Sequence, residues 1–288
     1  MSDISKVLVL GTGVLGAQIA FQAAYKGFSV TAYDINEEAL TAAKSKFAGL
    51  VDTYRAAFGK AEDGAAEAAL TRIGYSCDLA EAVAEADIVI EAIPEILQLK
   101  RDTFAKLNQA APERTIFATN SSSLLPSAIS DATGRPDRFL AMHFANMVWQ
   151  FNTAEIMGTK ETSPEVFDRV VAFAGAMGMV PIPIKKEVPG YLLNSLLIPF
   201  LNAALSLVAG GFAEPRVVDD VWRIDTGAPM GPFQIYDVIG LNTPYNMLSH
   251  GDEHDQHLAA WLKENYIDKG RTGAAAGAGF YDYEQKQG

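Results

Sequence analysis

The segment that most constrains this chain is Gly11-Thr-Gly-Val-Leu-Gly16, set between an apolar run and a helical pattern. Lys6-Val-Leu-Val-Leu10, just before it, is short and almost wholly apolar, as a strand buried on both faces of a parallel sheet would be. A helix is expected from about Val14 to Tyr25, closed by Gly27, and Ser29-Val-Thr-Ala-Tyr33 reads as a second strand. That order makes a βαβ unit, and right-handed crossover sets its strands parallel.

The glycine spacing suits a dinucleotide. Gly11 permits the tight turn, Gly13 lets the backbone approach a pyrophosphate, and Gly16 lets helix pack on strand. The amides of Val14 and Leu15, at the helix start, then face the phosphates. Asp34 ends the second strand, close to the spacing of about twenty residues expected of a carboxylate on the adenosine ribose. Its charge repels a 2′-phosphate, and Ile35-Asn36 offers no arginine to receive one. NAD is expected over NADP. A bare glycine turn with no ligand is the plain alternative, and the flanking elements weigh against it.

Further along, Ile88–Ile93, Thr115–Thr119 and Phe139–Met142 read as buried strands, with a helix after the first running to about Ala110. Glu37 to Phe58 reads as a long helix and Glu62 to Leu70 as a shorter one. After Pro181-Ile-Pro-Ile184 the texture changes to helical segments, roughly 190–209, 214–225, 232–249 and 255–268. The expected architecture is α/β: a Rossmann-type doubly wound sheet domain over residues 1–186, then a smaller all-α domain over 187–288.

A polar series stands out on this apolar background: Ser122, His143, Glu155 and Asn194. Ser122 and His143 follow strands at their carboxyl ends, where open α/β sheets bind ligands. His143 is the expected general acid/base, because imidazole titrates near neutrality. Glu155, on a neighbouring strand, would hold the ring in one tautomer and stabilise the imidazolium. Ser122 would hydrogen-bond the reacting oxygen, and Asn194 would hold the substrate. With a hydride acceptor nearby, this set describes a dehydrogenase. Glu95, Lys100, Asn120, Ser122 and Asn146 are expected on the cofactor side. Taken alone, Glu91, Glu95 and Lys100 read as a solvated helix start, and Ser122 as the cap of a helix beginning near Leu124. A Ser–His–Glu hydrolase is a weaker idea, since there is no GxSxG elbow.

Composition narrows the partners. A net charge of −12 argues against nucleic-acid and anionic-membrane surfaces. Cys77 is the single cysteine, so no intrachain disulfide is possible; it reads as a small half-buried residue beside a strand. No metal site is expected: His250, His254 and His257 have ligand-like spacings but read as a loop and helix start capped by Asp252 or Asp255. The best membrane-span candidate, Tyr191 to Phe212, is interrupted by Asn194, Pro199 and Asn202. With a strand starting at once and no room for a signal peptide, a cytoplasmic location is expected.

These elements together resemble the 3-hydroxyacyl-CoA dehydrogenase family, over nearly the whole chain. The resemblance rests on Gly11–Gly16, Asp34, Ile90–Glu95 with Lys100, Thr119–Leu124, His143–Asn146, Glu155, Val188–Asn194, Pro229–Pro232 and Gly279–Tyr283. It implies NAD-dependent, reversible oxidation of a short 3-hydroxyacyl-CoA (3-hydroxybutyryl-CoA in kind) to the 3-ketoacyl form, as in fatty acid metabolism. His143 would be the base paired with Glu155, Ser122 and Asn194 would contact substrate, and a helical C-terminal domain would form a homodimer. Relatives commonly have Asn-Pro after the histidine motif, whereas here Asn146 is followed by Met147, Val148 and Trp149, and the bulky Trp149 is expected to reshape the acyl pocket. The segment after Asp34, lysine-rich and near the CoA phosphates in relatives, here holds Lys44, Lys46, Arg55 and Lys60 against Glu62, Asp63 and Glu67. Weak attraction for CoA leaves a free 3-hydroxy acid as the alternative substrate, and a non-catalytic NAD-binding protein as a third possibility.

Overall fold

A computed structural model describes residues 4–59 and 64–283. The chain divides into two units, Met1–Leu192 and Leu193–Gly288.

The first unit is an eight-stranded sheet. Its strands are β1 (Lys6–Leu10), β2 (Ser29–Tyr33), β3 (Ile73–Ser76), β4 (Ile88–Glu91), β5 (Ile116–Thr119), β6 (Phe139–Phe144), β7 (Thr153–Gly158) and β8 (Val180–Ile184). They lie in the order β3-β2-β1-β4-β5-β6-β7-β8, and every neighbouring pair is parallel except β6–β7. The order reverses between β1 and β4, opening the crevice in which doubly wound sheets bind ligands.

Alternation along β1 shows why both faces must be covered. Val7 and Val9 enter one apolar cluster with α1 (Val14–Tyr25), α2 (Glu37–Phe58), α3 (Ala65–Leu70) and α7 (Pro164–Ala176). Leu8 and Leu10 enter another with α4 (Leu79–Val83) and α5 (Leu97–Ala110). A short α6 (Ser127–Ser130) follows β5. The helix expected from Glu62 is described from Ala65; Lys60, Glu62 and Asp63 lie outside the described residues. Cys77 sits half-buried just past β3.

The second unit is helical: α8 (Tyr191–Ala209, beginning two residues before the division), α9 (Pro215–Thr226), α10 (Pro232–Ile239), α11 (Asn242–Leu248) and α12 (Glu253–Asn265). The single helix expected over 232–249 is two, because Gly240 takes φ +86°, a conformation that ends a helix. As expected over 190–209, α8 runs through Asn194, Pro199 and Asn202, although a proline inside a helix removes a hydrogen bond and crowds the carbonyl four residues back. It is long and apolar enough to cross a membrane by length and composition. The histidine cluster opens α12: Asp252 accepts from the Asp255 amide and His254 Nε2 meets Ser206 Oγ at 2.9 Å.

Two buried carboxylates organise this unit. Asp219 accepts from the amides of Phe233 and Gln234 and the Tyr281 hydroxyl. Asp237 accepts from the amides of Phe280 and Tyr281 and the Tyr283 hydroxyl. They account for both glycine motifs, since a Cβ at Gly231 would strike Asp219 and one at Gly279 would strike Asp237.

Candidate active site

The glycine turn is built by contact. Gly11 takes φ +86°, and a Cβ there would lie 2.7 Å from the Ala92 carbonyl oxygen. A Cβ at Gly16 would collide with the Gly11 carbonyl, so α1 can press against the turn only as glycine. A Cβ at Gly13 would meet nothing within 4 Å, and no side chain caps α1 there. The first helical amides therefore face a cleft of about 270 Å³, lined by Gly13–Gly16, Ala92, Ile93, Glu95, Lys100, Asn120, Ser122 and Ser123. An open glycine face at a helix N-terminus beside a ribose-side carboxylate fits a dinucleotide pyrophosphate.

Asp34 lies at the end of β2 and is held there. Its Oδ2 accepts from the Thr12 amide at 2.8 Å and hydroxyl at 2.5 Å, and its Oδ1 from the Ile35 amide. Burial opposes ionisation, yet these donors and nearby Lys46 hold the carboxyl below its ordinary value. A charged Asp34 at neutral pH favours NAD over NADP. Lys46 itself donates to the Thr12 carbonyl.

The catalytic candidates of the first unit meet. His143 on β6 and Glu155 on β7 are register partners, and His143 Nδ1 lies 3.0 Å from Glu155 Oε2. His143 Nε2 lies 3.1 Å from Ser122 Oγ. Both members of the pair are buried, at 6% and 5% exposure. Ser122 is therefore not a helix cap; no helix begins at Leu124, and α6 starts at Ser127. Asn120 accepts from the Phe144 amide, tying the loop after β5 to the end of β6. Asn146 is exposed on the bend after β6, outside the lining of the cleft. Asn194 belongs to the second unit.

Glu91, Glu95 and Lys100 are not a solvated helix start. Glu91 and Lys100 are fully buried and paired at 2.5 Å. Burial pushes the Glu91 carboxyl up, against the pull of Lys100. Glu95 gathers the serine loop: its Oε1 accepts from Ser121 Oγ, the amides of Ser122 and Ser123, and Ser123 Oγ, while Oε2 lies 3.2 Å from Lys100 Nζ. Burial alone would raise this carboxyl; the serine donors and Lys100 bring it down to about 2.

No local sequence pattern singles out Ser121, Ser123, Gln18 or Tyr191. Gln18 Oε1 accepts from the amides of Met147 and Val148, where Met147 takes φ +62°. The Tyr191 ring stacks on His143. The run of three serines was the only available signal for the loop. Trp149 packs toward Tyr54 of α2 at 5.9 Å between ring centroids.

The NAD-binding domain of 3-hydroxyacyl-CoA dehydrogenase matches residues 6–188 and the C-terminal domain of the same family matches 190–283. The chain belongs to the 3-hydroxyacyl-CoA dehydrogenase family. It is an NAD-dependent oxidoreductase. It is 36% identical to the mitochondrial hydroxyacyl-coenzyme A dehydrogenase of Homo sapiens, over 98% of this chain and 92% of the other. It is also 36% identical to a probable 3-hydroxybutyryl-CoA dehydrogenase of Bacillus subtilis, over 99% of both. Among solved structures, a diketoreductase described as catalysing reactions of dicarbonyl compounds is 59% identical, with a TM-score of 0.95, over 98% of this chain and 100% of the other. This dehydrogenase thus shares its fold with relatives named for two kinds of substrate.

Proposed function

We propose that this dehydrogenase interconverts a 3-hydroxyacyl thioester and its 3-keto form, with short-chain 3-hydroxyacyl-CoA as substrate. The observation that carries the chemistry is the line Ser122 Oγ, His143 Nε2, His143 Nδ1, Glu155 Oε2, with gaps of 3.1 and 3.0 Å. Glu155 holds the proton of His143 on Nδ1, so Nε2 presents its lone pair. A substrate hydroxyl beside Ser122 gives its proton to Nε2, and Glu155 stabilises the imidazolium that results. In reduction the same Nε2 returns the proton to the carbonyl oxygen. NAD, when bound, supplies the hydride acceptor at the adjoining cleft.

His143→Gln should lower kcat by at least about 10²-fold, the loss typical of a missing general base. Near-normal turnover would refute the assignment.

A second substrate, a free 1,3-dicarbonyl compound without CoA, is favoured by two observations. One is the 59% identity to the diketoreductase. The other is that each described cation of α2 is engaged: Lys44 over Tyr75, Lys46 on Thr12, Arg55 with Asp52 and Glu67. Oxidation of NADH is followed with acetoacetyl-CoA, free acetoacetate and acetylacetone in parallel. Fast turnover of the thioester alone supports the first substrate; turnover of the free compounds alone replaces it with the second.

The line of exposed apolar residues Val217, Val221 and Ile224 on α9 supports a homodimer, which light scattering on the purified protein tests. A cytoplasmic location belongs to the same proposal.

A further inference from the structure

We propose that Tyr191 is a positioning residue for the proton relay: its ring fixes the plane of the His143 imidazole and favours the imidazolium formed when Nε2 takes a proton. The inference rests on the role proposed for His143. The two rings lie 4.4 Å apart between centroids and 18° from parallel, and Tyr191 is 1% exposed.

Three features make this a built contact. First, Tyr191 takes φ +57°, a left-handed conformation costly for a residue with a β-carbon, at the turn where α8 begins. That turn aims the ring at β6 rather than along the helix. Second, the next amide, Leu192 N–H, donates to Glu155 Oε1 at 2.8 Å. Glu155 thus holds His143 through one oxygen and is itself held through the other by the residue after the stacked ring. One turn of chain grips both members of the pair. Third, the contact discriminates between protonation states. An aromatic face attracts a cation more than a neutral ring, by an amount that grows with desolvation.

The charges nearest this stack are mostly carboxylates, with Lys100 among them. Glu155 of β7, Glu91 of β4, Glu95 before α5 and Glu187 before α8 all act electrostatically on Tyr191. Lys100 pairs with Glu91 and lies 3.2 Å from Glu95. Tyr191 therefore adds an uncharged, face-on contribution to a site whose charges already favour a cation. The consequence has a sign. Losing the ring face destabilises the imidazolium, so the pH midpoint of kcat/KM moves downward, both where oxidation rises with pH and where reduction falls.

The test uses the full chain with Tyr191→Phe, Tyr191→Met and replacement of Tyr191 by pentafluorophenylalanine. The last keeps the shape of Phe but reverses the charge on its face, so it discriminates even if Tyr191→Met fails to fold. Thermal unfolding and NADH binding check that each variant is intact. Tyr191→Phe should keep kcat within about twofold. The fluorinated ring and Met should lower kcat about tenfold with little change in KM. They should also shift the midpoint downward by about half to one pH unit, as cation–π energies of this size imply.

NMR titration of the His143 ring, its signal identified by absence in His143→Gln, reads the same shift without turnover. It separates failure of this inference from failure of the substrate or of the base assignment. An unmoved midpoint with the fluorinated ring would overturn the proposal. So would a loss in Tyr191→Phe equal to that of the other variants, which would place the role on the hydroxyl.

Discussion

His143 and Glu155 stand directly opposite each other in the one antiparallel pair of the sheet, so strand register alone places imidazole against carboxylate. Opposed residues of such a pair share one face with Cβ atoms about 5 Å apart. A one-residue slip would send one of the two side chains to the other face of the sheet. The relay is thus a property of backbone pairing as much as of the two side chains.

Glu155→Gln tests what that pairing does. The Gln oxygen can still accept from Leu192 N–H, which leaves its NH₂ facing His143 Nδ1. Nδ1 must then accept, and the ring proton moves to Nε2, the atom that should be free. Expected is a fall in kcat of about 10²–10⁴-fold with little loss of stability, since a wrong tautomer is costly even in intact geometry. Steady-state kinetics beside a thermal melt check this; a small kinetic effect would mean that Glu155 only supports the fold.

Glu95 makes a prediction about acid stability. Its folded carboxyl lies near 2, below its ordinary 4.5, so the stabilisation it provides is complete above pH 4.5 and lost as pH falls toward 2. The difference in urea midpoint between wild type and Glu95→Gln should therefore stay flat from pH 7 to 5 and shrink below 4.5. Glu95→Gln should also lower activity at neutral pH, because the loop carrying Ser122 loses its anchor. A stability difference that changes near pH 6 would assign the effect to another group.

The parts of this site legible in the sequence were those written in local pattern. The glycine turn, the buried strands and the polar residues at their ends follow from spacing and periodicity. The clamp of Glu95 on Ser121–Ser123 does not, because the loop returns to a carboxylate 26 to 28 residues earlier. Strand β8 was hidden by Pro181 and Pro183, which cannot donate to a ladder and are tolerated here because it is an edge strand. Tyr191 lay within a recognised motif, yet its use depends on one left-handed residue that no periodicity reveals.

Asp34 should govern cofactor choice. It is charged, fixed by Thr12, and ends the strand next to the glycine turn. Asp34→Asn keeps an acceptor but removes the charge that repels a 2′-phosphate. The ratio of kcat/KM for NADH over NADPH should fall about tenfold or more, read in parallel assays; an unchanged ratio would place the discrimination elsewhere.

Glu91 and Lys100 offer the sharpest test of buried electrostatics. Glu91 also accepts from the Ile93 amide and the Thr119 hydroxyl, and Lys100 Nζ lies 3.2 Å from the Ile93 carbonyl, so the pair braces the strand end that lines the cofactor cleft. Lys100→Met strands a buried carboxylate and should cost about 3–5 kcal/mol. Adding Glu91→Gln removes the orphaned charge while leaving a carbonyl to accept. The double variant should therefore be more stable than Lys100→Met alone, although it carries one more substitution. Urea unfolding of the two singles and the double gives the coupling. If the losses simply add, the pair is not acting as one unit, and Lys100 must be supporting the cleft through its stem rather than its charge.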